Sequence, residues 1–272
     1  FNTPIYDPFC MVTQQQGCEV VGSGLLNNNG HYEMDWADME AKMAAGVDLF
    51  ILCNPHNPTG RVWSKEELEK LGNLCLQYKV PIFSDDIHSD LIFEGSTYTP
   101  ILGISEAIRQ NTVMAMAPSK TFNVAGLKSS YLVIPNEELR KKVATALANF
   151  HVGVNLFGIK ATEVAYEVGE PWLEALNVYL KKNAEFVVAF CKEKLPKVKT
   201  YVPEGTYLLW LDFSAYGLDQ GELMRRFIED AQVALNDGSN YGEEGVGFVR
   251  MNIGTSKALL EEGLEAIARV FA

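Results

Sequence analysis

Three short apolar runs limit what this chain can become: Val47–Leu52, Val80–Phe83 and Thr112–Ala117. They are nearly continuous rather than alternating, the pattern of strands buried on both faces. Each also ends in polar residues. The first runs into Cys53-Asn54-Pro55-His56-Asn57-Pro58-Thr59-Gly60, the second into Ser84-Asp85-Asp86-Ile87-His88, and the third into Pro118-Ser119-Lys120. Between the first two, Ser64-Lys65-Glu66-Glu67 is a capping box that opens a helix over Leu68, Leu71, Leu74, Cys75 and Tyr78. Strand, helix and strand in alternation predict an α/β fold with a mainly parallel, doubly wound sheet. Such sheets build their sites at the carboxyl ends of the strands. Asn57, Asp85 and Lys120 each stand at such an end. The prolines in the first loop remove backbone donors and bias the preceding asparagines to extended geometry, which fixes the direction of the Asn57 side chain.

The rest of the chain reads in two parts. Phe1–Phe9 is a proline- and aromatic-rich loop, Cys18–Val21 a short strand, Asn27–Gly30 a turn, and Asp35–Ala44 a helix. A fourth strand over Ser130–Ile134 and a helix over Leu139–Phe150 follow the three runs. The pattern is then mainly helical. Pro171 opens a long amphipathic helix that runs to about Lys194 and is stopped by Pro196. Strands over Thr206–Phe213 and Gly247–Ile253 then alternate with helices at about Asp219–Ala231 and Ser256–Phe271. Residues 1–170 are thus expected to form a large domain, and residues 171–272 a linking helix with a smaller C-terminal α+β domain.

Composition narrows the function. With 272 residues, 47% of them hydrophobic, the chain can bury a sizeable core. A net charge of −12, with no basic block, argues against nucleic acid as a partner. Five scattered cysteines without a C-x-x-C pair read as free thiols of a reducing cytoplasm. No apolar run approaches the roughly 20 residues that span a bilayer. The expected location is therefore cytoplasmic, with no membrane partner. Asp85, Asp86, His88 and Asp90 invite a metal reading, but they follow one another too closely to wrap one ion. For His31, His56 and His151 a loop or surface placement is the default.

Lys120 carries the chemistry. A lysine that attacks a carbonyl must give up its proton, and burial at the end of an apolar strand shifts its pKa in that direction. Its usual partner is an aldehyde. If the aldehyde belongs to pyridoxal 5'-phosphate (PLP), the site also needs a carboxylate for the pyridine nitrogen, a donor to the ring oxygen, an aromatic face and cations for the phosphate. Asp85, Asn57, Tyr6 and Lys128 are available for those roles.

Four motifs now stand in order: N-P-T-G (Asn57–Gly60), an aspartate after an apolar strand (Asp85), S-K-T-F-N-x-A-G-L-K (Ser119–Lys128) and F-V-R-x-N (Phe248–Asn252). Together they resemble the fold-type I PLP enzymes of the class I/II aminotransferase group. Ser84–Asp90, Thr206–Asp212 and Tyr241-Gly242-Glu243-Glu244-Gly245 are similar to its MalY/PatB branch of cystathionine β-lyases. The resemblance implies that Lys120 is the Schiff-base lysine and the acid/base at the substrate Cα. It implies that Asp85 holds the pyridinium, Asn57 contacts the ring oxygen, Tyr6 stacks on the ring, and Ser119 and Lys128 meet the phosphate. Arg250 would grip the α-carboxylate of a small amino-acid substrate as a fork. His88 stands where many aminotransferases have tyrosine, and is a candidate for the ring oxygen. Ala117 stands where many relatives have a phosphate-binding serine, and Lys128 where many have arginine. Family members carry a further segment ahead of the T-P-x-Y loop, so the chain reads as N-terminally shortened. The resemblance implies β-elimination of cysteine-derived C–S bonds by a homodimer. An aminotransferase is the alternative within the family, and a non-catalytic binding or regulatory protein the alternative outside it.

Overall fold

The computed structural model describes residues 1–150 and 153–272, so the placement expected for His151 lies outside them. Strand β1 (Asn2–Thr3) and helix α1 (Asp7–Gln15) open the chain, and β1 runs parallel to β2 (Ser23–Gly24). The strand expected over Cys18–Val21 begins later, because pairing sets in only where the Ser23 N–H reaches the Phe1 carbonyl at 2.9 Å. Asn29 and Gly30, both at positive φ (52° and 92°), turn β3 (Leu26–Asn28) back onto β4 (His31–Glu33). Helix α2 (Trp36–Gly46) starts at Asp35, whose carboxylate accepts the Asp38 N–H at 3.0 Å.

The apolar runs then form the central sheet. Strand β5 (Phe50–Cys53) is followed by helix α3 (Lys65–Gln77), β6 (Ile82–Asp85), helix α4 (Glu106–Gln110), β7 (Thr112–Met116) and β8 (Tyr131–Val133). Their order in the sheet is β5-β6-β7-β8; the first three are parallel, and β8 is antiparallel to β7. The capping box at α3 is complete, with the Glu67 N–H on Ser64 Oγ at 3.1 Å and the Ser64 N–H on Glu67 Oε2 at 2.8 Å. Leu68, Leu71 and Cys75 on α3 are fully buried in one core with Phe50, Leu52, Ile82 and Trp63. Burial of each such large apolar side chain contributes roughly 1.5–3 kcal/mol. The register sets Cys53, Asp85 and Ala115 level with one another. The three strands therefore end together, and the polar residues that follow them emerge on one rim.

Beyond helices α5 (Glu137–Asn149) and α6 (Leu156–Val168), the long helix α7 (Glu170–Lys194) begins with Pro171 in its first turn. Leu180, Ala184, Val187 and Cys191 make its buried stripe at helical spacing. That stripe shares a core with β9 (Leu208–Asp212) and with β11 (Phe248–Asn252) and helix α9 (Lys257–Phe271), which follow helix α8 (Gln220–Arg225) and β10 (Asn236–Asp237). The small sheet is antiparallel, in the order β10-β11-β9. Asn183 of α7, buried, donates to the carbonyls of Ile253 and Thr255 at 2.9 Å each, tying the helix to the end of β11. The two cores interleave: Leu91 and Phe93 belong to the second, while Trp210 and Tyr241 belong to the first. Among the described residues no helix is long and apolar enough to cross a membrane.

Candidate active site

The rim where β5, β6 and β7 end opens into a cleft of about 430 Å³. Tyr6, Asn57, Asp85, His88, Ser119, Lys120 and Arg250 all line it. Residues separated by as many as 244 positions in sequence thus meet where the sequence alone expects a site.

Asn57 is buried, and its Oδ1 accepts from Arg250 Nη1 at 2.9 Å, so its amide NH₂ remains available as a donor. The loop that presents it is held from several sides. The His56 N–H bonds the Arg61 carbonyl, and the Gly60 N–H bonds the His56 carbonyl, both at 2.7 Å. Gly60 has φ of 71°, and a Cβ there would sit 2.4 Å from the Pro203 Cβ, so only glycine fits. Arg61, buried under the loop, pairs with Glu67 at 2.9 Å and Glu204 at 3.0 Å. His56 lies in the loop as expected but is not at the surface. It is 1% exposed, with Nε2 2.8 Å from the Pro4 carbonyl, and burial pushes its pKa down to about 4.

Asp85 and Asp86 divide their roles by direction. Asp85 faces the cleft and accepts the Ile87 N–H at 3.2 Å. Burial pushes its carboxyl up to about 6, partly offset by that bond and by the charge of Lys120. Asp86 is 1% exposed and takes hydrogen bonds from the Ser84 and Tyr98 hydroxyls; burial pushes it up to about 7. His88 is buried, edge-on to Tyr207 at 5.5 Å between ring centroids, and its Nδ1 has no partner among the described residues. Burial, with the charges of Lys120 and Arg250, holds its pKa down at about 3, so the ring is neutral at ordinary pH.

Lys120 and Ser119 are half-buried in the turn that follows β7. Tyr6 is partly exposed and lies edge-on to Phe9. Arg250 is held by both halves of the chain: Nη1 bonds Asn57, Nη2 bonds Asn236 Oδ1 at 2.9 Å, and the guanidinium lies 5.1 Å from the Tyr241 ring centroid. Its Nε is buried without a partner. Lys128 is not brought to the cleft. It is exposed, in a left-handed conformation (φ 49°) at the end of the Ala125–Leu127 turn.

Tyr207, Leu208, Asn252, Cys53 and Ile87 also line the cleft, although the sequence suggests no role for them. One signal was available for Asn252: it stands two residues after Arg250 on the same strand, and side chains alternate along a strand. Among the described residues, no group of three or more His, Cys, Asp or Glu side chains is arranged to hold a metal ion.

The residues present fit the ring end of PLP. A cleft-facing carboxylate without a cation bonded to it, an amide with free N–H donors, a half-buried lysine and an unpartnered imidazole nitrogen all converge on one cleft. Ser119 is the expected phosphate contact that lies on this cleft.

Comparison with known proteins agrees with this geometry. Over 266 residues the chain is 45% identical to cystathionine beta-lyase PatB of Bacillus subtilis (strain 168), taking in 97% of this chain and 69% of PatB. Cystalysin from Treponema denticola, whose crystal structure contains PLP, superposes with a TM-score of 0.97 at 33% identity over 99% of this chain and 69% of that one. The PLP-bound C-S lyase from Staphylococcus hominis superposes with a TM-score of 0.92 at 35% identity over 100% of this chain and 69% of that one. The model of the family described as aminotransferase class I and II matches residues 1–267, and the chain belongs to that family.

Proposed function

We propose that this protein is a PLP-dependent lyase that β-eliminates cysteine-derived C–S bonds such as that of cystathionine, consuming one water and releasing thiol, ammonia and pyruvate. The observation that carries the reading is the convergence of Lys120, Asp85, Asn57 and Arg250 on one cleft, in a chain 45% identical to a cystathionine beta-lyase. When bound, PLP supplies an electron sink for the charge left at the substrate Cα. Everything else is done by side chains. Arg250, on the cleft wall, holds the α-carboxylate through the free N–H groups of its terminal nitrogens, and so fixes which substituent of Cα faces Lys120. Lys120 takes the Cα proton, and the thiolate leaves from Cβ. Asp85 would hold the pyridinium nitrogen protonated, and that cation in turn lowers the carboxyl whose pKa burial raises. Asn57 would donate to the ring oxygen, with the neutral His88 beside it, and Tyr6 would cover the ring face. Ser119 would meet the phosphate, and Lys128, exposed in the turn that follows, would supply charge near it.

An aminotransferase would use the same groups, and it is less supported because the similar proteins described above are lyases. Two incubations separate the readings. Cystathionine alone should give pyruvate and thiol with no 2-oxo acid acceptor, and Lys120→Ala should abolish both. Product formation that requires an added 2-oxo acid would refute the lyase reading.

The same proposal assigns residues 1–170 to the cofactor-binding part and residues 171–272 to the linking helix and small domain. It places the protein in the cytoplasm, which the free thiols of Cys53, Cys75 and Cys191, all buried, support. It also makes the protein a homodimer. Leu156, Phe157 and Ile159 are exposed at the start of α6, an apolar edge that a second copy would cover. Sedimentation at the monomer mass would refute that part.

A further inference from the structure

A second pocket, of about 140 Å³, forms where the β3–β4 hairpin and the N-P-T-G loop meet the strands of the small sheet. Among the described residues, two of its buried lining groups have no hydrogen-bond partner, and two charges at its mouth make no ion pair. Trp210 is 7% exposed, yet its indole N–H has no hydrogen-bond partner. It lies beside the Tyr32 hydroxyl but outside hydrogen-bond geometry. The Thr59 hydroxyl is likewise buried and unpartnered. Lys199 and Asp212 face each other across an antiparallel bridge, with backbone bonds of 3.1 and 2.8 Å, so their side chains leave on the same side. Even so, the two charges make no ion pair with each other or, among the described residues, with any other group. Asp212 takes only the Ser214 N–H, at 2.8 Å, on Oδ1.

Buried donors without partners are costly and rare in native proteins. Lys199, exposed, and Asp212, half-buried, stand side by side at the mouth of the pocket, where the two ends of a zwitterion could meet opposite charges. The apolar wall is Trp210 with Phe248 stacked on it at 5.1 Å between centroids. The volume is well below that of a drug-sized site and suits a ligand no larger than a free amino acid with a short side chain.

We propose that this pocket binds a small zwitterionic amino acid, with its carboxylate toward Lys199 and the Trp210 N–H and its ammonium toward Asp212. The site is distinct from the cleft but shares its walls. Trp210 is the cross-strand partner of Arg250, Tyr241 rests against both, and Thr59 stands two residues from Asn57.

Glycine is the probe, titrated into the PLP-loaded protein labelled with ¹⁵N at its four tryptophans. The Trp210 indole resonance, identified by Trp210→Phe, should shift and saturate. Lys199→Met and Asp212→Asn, neither in a core position, should each weaken the apparent affinity about tenfold or more, as loss of a charge-assisted contact does. Glycinamide and N-acetylglycine, each lacking one of the charges, should bind about as much more weakly than glycine. Arg250→Ala, which removes the carboxylate grip in the cleft, should leave the Trp210 titration in place. No saturating shift, or a shift lost in Arg250→Ala and kept in both Lys199→Met and Asp212→Asn, would overturn the proposal.

Discussion

Asp85→Asn should make the cofactor-free protein more stable above pH 6 while weakening its hold on PLP. In the unfolded chain this carboxyl titrates near 3.8; in the folded chain burial raises it to about 6. The folded state therefore binds the proton more tightly, and the sign follows. Below about pH 4 the group is protonated in both states and burial of its charge costs nothing. As pH rises from about 4 to 6 the unfolded chain ionises first, and stability is lost. The interval between 3.8 and about 6 corresponds to a penalty of about 3 kcal/mol, fully present above pH 6. Asparagine has the same shape and keeps an oxygen for the Ile87 N–H, but carries no charge.

Urea denaturation of the wild type and of Asp85→Asn, both freed of cofactor, measures the effect from about pH 4 to pH 8. The two should be equally stable at the acid end, with the variant ahead by up to about 3 kcal/mol at the alkaline end. Asp86, held up to about 7, contributes a slope of the same sign in both proteins and largely cancels from the difference. Saturation with PLP should reverse the order, because only the carboxylate partners a pyridinium. Parallel stability curves, or a variant weaker at every pH without cofactor, would refute the reasoning that burial governs this group.

Three further outcomes follow from single contacts. Gly60→Ala places a Cβ at φ 71° and 2.4 Å from the Pro203 Cβ, so a loss of about 1–2 kcal/mol or more in denaturation is expected, with a raised KM because the loop carries Asn57. Ser64→Ala breaks the capping box of α3 and should lower stability by about 1 kcal/mol with activity per folded molecule unchanged. Arg250→Lys keeps the charge but cannot hold Asn57 and Asn236 together, and should raise KM about tenfold or more, with a smaller effect on kcat.

The sequence was legible where local chemistry decides the structure. Pro171 and the amphipathic stripe place α7 to within a residue at its start, and the capping box places α3. The three apolar runs name the right strands but set two of them too early. The first pairs from Phe50 rather than Val47 and the second from Ile82 rather than Val80, because cross-strand register, not apolarity, fixes where a ladder begins. Lys79, at φ 57°, keeps Val80 in the turn. Asn57, Asp85 and Lys120 were legible together because a parallel sheet brings strand ends to one rim. Contacts made by folding were not. Nothing local distinguishes the buried His56 from a surface loop histidine, and nothing places Lys128 away from the cleft. Tyr207 reaches the site from a turn that begins at Thr206, a non-glycine residue at φ 71°.

Arg250 shows most clearly why the cleft needs both halves of the chain. A free arginine side chain would lose rotamer freedom on gripping a carboxylate, a cost on the order of 2 kcal/mol. Here that freedom is already gone: Asn57, from the loop after β5, and Asn236, from β10, each hold one terminal nitrogen, and Tyr241 lies against the guanidinium. Those bonds are made before any substrate arrives, and they leave the buried Nε as the unsatisfied donor. The terminal nitrogens each keep a second N–H for a carboxylate, so much of the ordering cost falls on folding rather than on binding. On the proposed function, Asn57 would then be more than a contact for the cofactor ring. The same amide holds Arg250 through its oxygen, and a change at Asn57 should disturb cofactor and substrate binding together.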